Sequence, residues 1–95
     1  MKSTVTFGEI MLRLSPENRK RIIQADRFDA NYGGSEANVA AALSNMGVPT
    51  EFVTALPEND VGKAAENFVR SFGVSTRNSV KKIGRMGIYY LEKGA

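Results

Sequence analysis

The residues with the clearest chemical potential form one run, Tyr32-Gly33-Gly34-Ser35-Glu36-Ala37-Asn38-Val39-Ala40. Two glycines ahead of a helix let the backbone come close to a ligand, because no Cβ intervenes. A helix start also offers unpaired N–H donors and a positive dipole end, which suit a polyol, a carboxylate or a phosphate. Asn38, in the first turn, adds an amide that donates to and accepts from hydroxyls. The pattern alone leaves an equal alternative, in which Gly33-Gly34 only forms a tight turn into the helix and Asn38 only helps to cap that helix.

Two further candidates lie outside this run. Glu9 follows Gly8 at a break in a predicted strand, where a carboxylate could hydrogen-bond sugar hydroxyls; an ordinary exposed glutamate is the alternative interpretation. Tyr89 and Tyr90 occupy opposite faces of the last predicted strand, so one faces the site and the other does not. Alternation does not choose between them, and packing in a core or an interface is the default interpretation of such a pair.

What the chain lacks excludes several chemistries. It contains no Cys and no His, which removes thiolate nucleophiles, disulfides, the usual zinc ligands and the common general base near neutral pH. A G-x-G-x-x-G motif is absent, and the P-loop pattern fails because Pro57 replaces its first glycine and Ala64 follows Gly62-Lys63. We therefore predict no catalytic, nucleotide-binding or metal-binding residue in this chain.

The composition is typical of one small domain. The chain has 95 residues, 42% of them hydrophobic, and a net charge of +3 from basic and acidic residues mixed along it. Its one basic cluster, Arg19-Lys20-Arg21, has no interleaved aromatic residue and is interpreted as a solvated loop. The longest apolar run, Val39–Leu43, is too short to cross a bilayer, and no signal peptide is recognisable. We expect a cytoplasmic protein that binds neither nucleic acid nor membrane.

The order of the predicted elements indicates an α/β fold. A strand over Thr4–Leu14 changes phase at Gly8-Glu9, which predicts a break, and an extended segment over Ile22–Tyr32 returns as in a hairpin. The later predictions are a helix from Ser35, its expected N-cap, or Glu36 to Met46, a strand over Glu51–Leu56, a helix over Asp60–Phe72, and extended segments near Arg77–Ile83 and Gly87–Lys93. Alternating strands and helices favour a largely parallel sheet, and the hairpin and the last two segments are expected to form a second, small sheet.

The predicted buried face of the first helix consists of its larger apolar residues at helical spacing. These residues are Val39, Ala40, Leu43 and Met46. The corresponding face of the second helix consists of Val61, Ala65, Phe68, Val69 and Phe72.

Several segments together resemble the ribokinase-like (PfkB) carbohydrate kinases. They are Phe7-Gly8-Glu9-Ile10, the glycine-pair run through Ala40, and Asn45-Met46-Gly47-Val48. The family signature is Gly-Gly, a few residues, Asn-x-Ala, a helix and Leu-Gly, and Met46 stands here for the usual Leu. Of the family's Gly-x-Asp-x-x-Gly, only Gly62 is present. The segments 8–16 and 87–94 are similar to 2-keto-3-deoxygluconate kinases in particular, so the resemblance covers essentially the whole chain.

The resemblance implies the N-terminal part of a ribokinase-like three-layer α/β fold, a single incomplete domain over 1–95, with a β-sheet lid from strands at about 12–32 and 77–95. It implies a parent kinase that uses ATP and Mg²⁺ to phosphorylate the terminal hydroxyl of 2-keto-3-deoxygluconate. By motif position, Gly33, Gly34 and Asn38 would hold the sugar and Tyr89 would contact it from the lid. The lid strands are also expected to form a homodimer contact.

The chain departs from the family in what it does not contain. Members are several times longer, and their Gly-x-Gly-Asp motif, which supplies the catalytic base and an anion hole, has no counterpart here. The arginines expected beyond the lid to contact the substrate carboxylate have none either. Without these groups a chain should not transfer a phosphoryl group, so we expect an inactive fragment that binds neither ATP nor Mg²⁺. Two alternatives stay open: another PfkB sugar kinase, such as a fructokinase or ribokinase, or a non-catalytic module that dimerises through exposed lid strands.

Overall fold

The computed structural model of the chain describes residues 3–92. In that range the strands and helices are β1 (Thr4–Phe7), β2 (Met11–Pro16), β3 (Phe28–Gly33), α1 (Ser35–Asn45), β4 (Thr50–Val53), β5 (Ala55–Pro57), α2 (Asp60–Arg70), β6 (Val80–Lys82) and β7 (Ile88–Tyr90). Two short 3₁₀ turns, Glu17–Arg19 and Ile22–Gln24, lie between β2 and β3. Neither helix of this range has the length and apolar character needed to span a membrane.

Parallel strand pairs and two helices form the α/β part of the chain. β1 pairs in parallel with β4, from Thr4 opposite Thr50 to Phe7 opposite Val53, and β5 pairs in parallel with β6. Helix α1 packs on β1 and β4, and α2 packs on β5. Phe52 of β4 is 1% exposed and belongs to the buried core. The predicted α/β fold is confirmed.

A second sheet of three strands stands beside this part. β2 is its central strand, antiparallel to β3 and parallel to β7. The predicted phase break is confirmed, because β1 ends at Phe7 and β2 begins at Met11. Ile10, between the two strands, is 3% exposed and belongs to the core. The break at Gly8-Glu9 therefore lets one extended segment serve two sheets.

Two predictions about the strands are wrong in part. The segment over Ile22–Tyr32 is a strand only from Phe28, because β2 ends at Pro16 and offers no partner to the residues before Phe28. The segment near 77–83 was expected in the second sheet, but β6 pairs with β5: Val80 N donates to Thr54 O at 2.9 Å, and Glu58 N to Lys82 O at 2.9 Å. Only β7 of the two late segments joins β2. Residues 93–95 of the predicted lid lie outside the described range.

The helices differ from prediction at their ends. Gly34 rather than Ser35 is the N-cap of α1, since its carbonyl already accepts the first helical hydrogen bond, from Asn38 N at 2.9 Å. The second helix, α2, ends at Arg70 instead of Phe72. Its N-cap is Asn59, whose side chain accepts a hydrogen bond from Gly62 N at 2.9 Å.

The buried face of α1 consists of small residues. Ala37 and Ala40 are 6% and 0% exposed, whereas Val39 and Met46 are 50% and 70% exposed. The helix thus lies against β1 and β4 through its alanines, which allow a close approach. The predicted burial of Val39 and Met46 is therefore wrong. In α2 the prediction is confirmed for Ala65 and Val69 and wrong for Val61, which is 39% exposed.

Candidate functional site

The glycine pair lies at the junction of β3 and α1, where three parts of the chain meet. Gly33 is the last residue of β3 and is buried, and Gly34 precedes α1. A Cβ at Gly33 would lie 2.9 Å from the hydroxyl oxygen of Tyr89, on β7. A Cβ at Gly34 would overlap the backbone carbonyl oxygen of Glu9, in the segment between β1 and β2. Close approach to main chain therefore requires glycine at Gly34, whereas a Cβ at Gly33 would meet only the end of the Tyr89 side chain.

The start of α1 is open to a ligand. No side chain caps Gly34 within the described range, and the helix has 11 residues, so its first N–H groups carry the positive end of a full helix dipole. Asn38 is exposed in the first turn. Glu36, in the same turn, lies against the segment after β1: a Cβ at Gly8 would be 2.6 Å from its Cδ. The site thus combines free N–H donors, one amide and one carboxylate.

The two tyrosines of β7 have different surroundings. Tyr89 is half-buried, and its hydroxyl lies against Gly33. Tyr90 projects from the opposite face, is 56% exposed, and packs edge-on against Phe28 with ring centroids 5.9 Å apart. The structure therefore decides what alternation left open, and places Tyr89 at the glycine pair.

Glu9 lies between the glycine pair and a separate small cavity. Its backbone carbonyl approaches Gly34, and its side chain is exposed. Glu9 also lines a cavity of about 140 Å³ between the end of β5 and the segment 82–87. None of Gly33, Gly34, Asn38 or Tyr89 lines this cavity. Of the five residues predicted for the site, the structure brings together Gly33, Gly34, Tyr89 and the backbone of Glu9, with Asn38 one helical turn away.

Two polar residues beside Tyr89 were missed by sequence reasoning. Arg13 on β2 is the register partner of both Asn31 on β3 and Tyr89 on β7. Arg13 and Asn31 are half-buried, and Arg13 Nε is inaccessible to solvent without a hydrogen-bond acceptor in the described range. Their proximity depends on which strands pair and in which register, and no local pattern of residues indicates either.

Glu66, on α2, has a shifted pKa and lies away from this site. Burial alone would raise the pKa of Glu66, but a hydrogen bond from Thr76 at 3.0 Å and the ammonium of Lys81 at 3.2 Å, with Arg70 nearby, lower that pKa below its ordinary value. These contacts join α2 to β6 and the segment before it. Their role is structural.

Comparisons with known proteins establish the family. A family model described as "pfkB family carbohydrate kinase" matches residues 1–95 of this chain. The crystal structure of 2-dehydro-3-deoxygluconokinase from Thermotoga maritima superimposes on 100% of this chain, with a TM-score of 0.96 and 56% identity. A PfkB family carbohydrate kinase from Listeria grayi superimposes on 98%, with a TM-score of 0.93 and 41% identity. The 2-dehydro-3-deoxygalactonokinase of Haloferax volcanii is 37% identical over 90 residues, 95% of this chain.

This chain spans only part of each relative: 29% of the Thermotoga chain, 29% of the Listeria chain and 28% of the Haloferax protein. The match nevertheless includes every element described above, from β1 to β7. The glycine pair before α1, the start of that helix and the adjoining three-stranded sheet are therefore features that this chain shares with longer kinases. The chain belongs to the pfkB family of carbohydrate kinases.

Proposed function

We propose that this chain is the sugar-holding part of a kinase that phosphorylates 2-keto-3-deoxygluconate. The observation that carries the proposal is the convergence of Gly33, Gly34 and the Tyr89 hydroxyl at the open start of α1. Backbone N–H groups, an amide and a phenol suit the several hydroxyls of an open-chain sugar acid. The 56% identity to a 2-dehydro-3-deoxygluconokinase, a synonym for the same activity, supports this substrate over ribose or fructose.

We assign phosphoryl transfer to the remainder of a full-length kinase. Kinases of this family use ATP, and Mg²⁺ is the ion expected to accompany it. Residues 3–92 contain no group of three or more side chains that could hold a metal ion, and the sequence carries no phosphate-binding glycine motif. We therefore propose that the remainder of a full-length kinase holds ATP and Mg²⁺. By this proposal the 95-residue chain alone is inactive, and its role is to bind and orient the sugar in the cytoplasm.

We further propose that the three-stranded sheet is a lid with a different task on each face. One face carries Tyr89 toward the glycine pair. The opposite face carries Phe28, Ile88 and Tyr90, which are 38%, 51% and 56% exposed. Apolar side chains exposed together favour association, and a homodimer through this face is the arrangement we propose. Light scattering over a range of concentrations tests it: a dimer that Tyr90→Glu dissociates is expected, and a monomer at every concentration refutes it.

The substrate assignment needs a complete kinase for its test. We suggest a hybrid kinase in which residues 1–95 replace the matching N-terminal part of the Thermotoga maritima enzyme, whose 56% identity makes the junction favourable. ATP-dependent phosphorylation of 2-keto-3-deoxygluconate, fructose and ribose is then compared with that of the unaltered Thermotoga enzyme. We expect the hybrid kinase to prefer the keto acid. A preference for fructose or ribose would show that these residues form a pocket for another sugar and would refute the assignment.

A further inference from the structure

Met11 begins β2 and lies directly opposite Gly33, the first residue of the glycine pair. Residues that are direct partners in a sheet project from the same face. At Gly33 that face is the one on which the Tyr89 hydroxyl lies, 2.9 Å from the position of a Cβ. Met11 therefore borders the candidate sugar site from the central strand of the lid.

A contact with the neighbouring strand places Met11 on the same face. Gly87 directly precedes β7 and extends its pairing, since its carbonyl accepts a hydrogen bond from Leu12 N at 2.9 Å. A Cβ at Gly87 would lie 3.4 Å from Met11 Cγ and 3.5 Å from Met11 Sδ, and it would share a face with Tyr89, two residues later. The thioether thus lies between two glycines, and neither has a side chain to cover it.

Core packing does not account for an apolar residue at this position. Leu12, the next residue along β2, points the other way and packs against the core, whereas Met11 is half-buried and is not part of that cluster. Met11 also differs from the other residues of its face on β2, β3 and β7, which apart from Gly33 have side chains with polar atoms. These residues are Arg13, Ser15, Asp29, Asn31 and Tyr89. Within these three described strands, Met11 is therefore the one wholly apolar side chain on the face of the candidate site.

We propose that Met11 contacts the C3 methylene of the keto acid and selects a 3-deoxy sugar acid over one that carries a hydroxyl at C3. This inference rests on the proposed function and adds a specificity residue to it. In 2-keto-3-deoxygluconate, C3 is the one carbon of the chain without an oxygen. A thioether packs well against a methylene, whereas a hydroxyl buried against it loses its hydrogen bonds to water and finds only a weak acceptor. The carboxylate is left to the arginines expected beyond the lid, and the hydroxyls to Tyr89 and the start of α1.

The experiment uses the hybrid kinase and two acids that differ only at C3. They are 2-keto-3-deoxygluconate and 2-ketogluconate, which carries a hydroxyl on that carbon. With Met11 in place, we expect kcat/KM to favour the deoxy acid by about 10- to 100-fold, as for a hydroxyl placed in an apolar pocket. Met11→Gln keeps nearly the same size and supplies an amide that donates and accepts, so the preference should narrow by at least about tenfold. Met46→Gln is the matched control, because Met46 is 70% exposed at the end of α1, and it should leave the preference unchanged.

The role of Met11 and the proposed function fail in different ways. If the hybrid kinase with Met11 unchanged uses both acids equally, or if Met11→Gln leaves the preference unchanged, the role of Met11 is overturned and the proposed function stands. If that kinase phosphorylates fructose or ribose but neither acid, the proposed function itself is refuted, and this inference with it. Should circular dichroism show that Met11→Gln does not fold, Met11→Ala replaces it, because it removes the thioether and leaves room for the C3 hydroxyl with a water molecule. A preference narrowed by about tenfold then supports the proposal, and an unchanged preference overturns it.

Discussion

Replacing Gly34 by alanine should destabilise the protein, because its Cβ would meet main chain. The added atom would overlap the carbonyl oxygen of Glu9 and lie 3.4 Å from the Glu9 carbonyl carbon. A main-chain oxygen cannot rotate away as a side-chain tip can, so the segment between β1 and β2 must move as a whole. We expect a cost near the upper end of the range for overpacking, about 3 kcal/mol. At roughly 2–4 °C per kcal/mol, the melting temperature falls by about 6–12 °C.

The neighbouring glycine should behave differently. A Cβ at Gly33 would meet only the Tyr89 hydroxyl, at 2.9 Å, and a displacement of about 0.5 Å restores the ordinary contact distance of 3.4 Å. The far end of a flexible side chain makes that shift cheaply, so we expect Gly33→Ala to cost less than about 1 kcal/mol. The same shift moves the phenol and fills the glycine surface, which should raise KM for the sugar acid about tenfold.

Both variants are made in the hybrid kinase, with Gly87→Ala as the control. A Cβ at Gly87 would find Met11 Cγ at 3.4 Å, an ordinary contact, so the control should keep its stability within about 0.5 kcal/mol. Thermal unfolding reports stability, and steady-state kinetics report KM. If Gly34→Ala has the same melting temperature as the Gly87→Ala control, the close approach to Glu9 is not the reason that this position requires glycine. If Gly33→Ala leaves KM unchanged, the glycine pair does not line the sugar site.

Three further predictions concern single side chains. Tyr89→Phe should lower kcat/KM for the keto acid about 3- to 10-fold by loss of one hydrogen bond, while Tyr90→Phe on the opposite face changes it less than twofold; equal effects would contradict the assignment. Asn59→Ala removes the side-chain cap of α2 and should lower the free energy of unfolding by about 1 kcal/mol, as measured by thermal unfolding. An unchanged free energy of unfolding would show that the cap does not contribute to stability. The lowered pKa of Glu66 predicts a stabilisation complete above its ordinary value of 4.5 and lost as the pH falls below it. Glu66→Gln should flatten that acid-side loss in unfolding curves, and an unchanged pH profile would refute it.

Local signals predicted the order and breaks of the elements. The phase change at Gly8-Glu9 placed the end of β1 and the start of β2, because a strand that serves two sheets must reverse the facing of its side chains. Gly47 and Gly73, with φ of 83° and 82°, follow α1 and α2 as the sequence indicated. Such features depend on a few adjacent residues, so they can be found without knowledge of the tertiary structure.

Strand partners could not be predicted in the same way. The segment that contains β6 offered no alternation to show whether it joins β5 or β2, and its backbone hydrogen bonds to Thr54 and Glu58 decide that it joins β5. The same limit concealed Arg13 from the candidate site. Its relation to Tyr89 follows only from the register of β2 with β7, two strands about 75 residues apart along the sequence. Alternation of side chains along the strand therefore left open whether Tyr89 or Tyr90 faces the site. It did not indicate that Arg13 lies beside Tyr89.

Exposed apolar residues lie along β1, next to the candidate site. β1 pairs with β4 alone within residues 3–92, and its Val5 and Phe7 are 43% and 69% exposed. An unpaired strand edge with apolar side chains is a surface for another strand, and this chain spans less than a third of its relatives. We expect the remainder of a full-length kinase to cover this edge. The start of α1 follows Gly34, next to the segment that leaves β1, so a strand that covers the edge of β1 would also lie close to the candidate site.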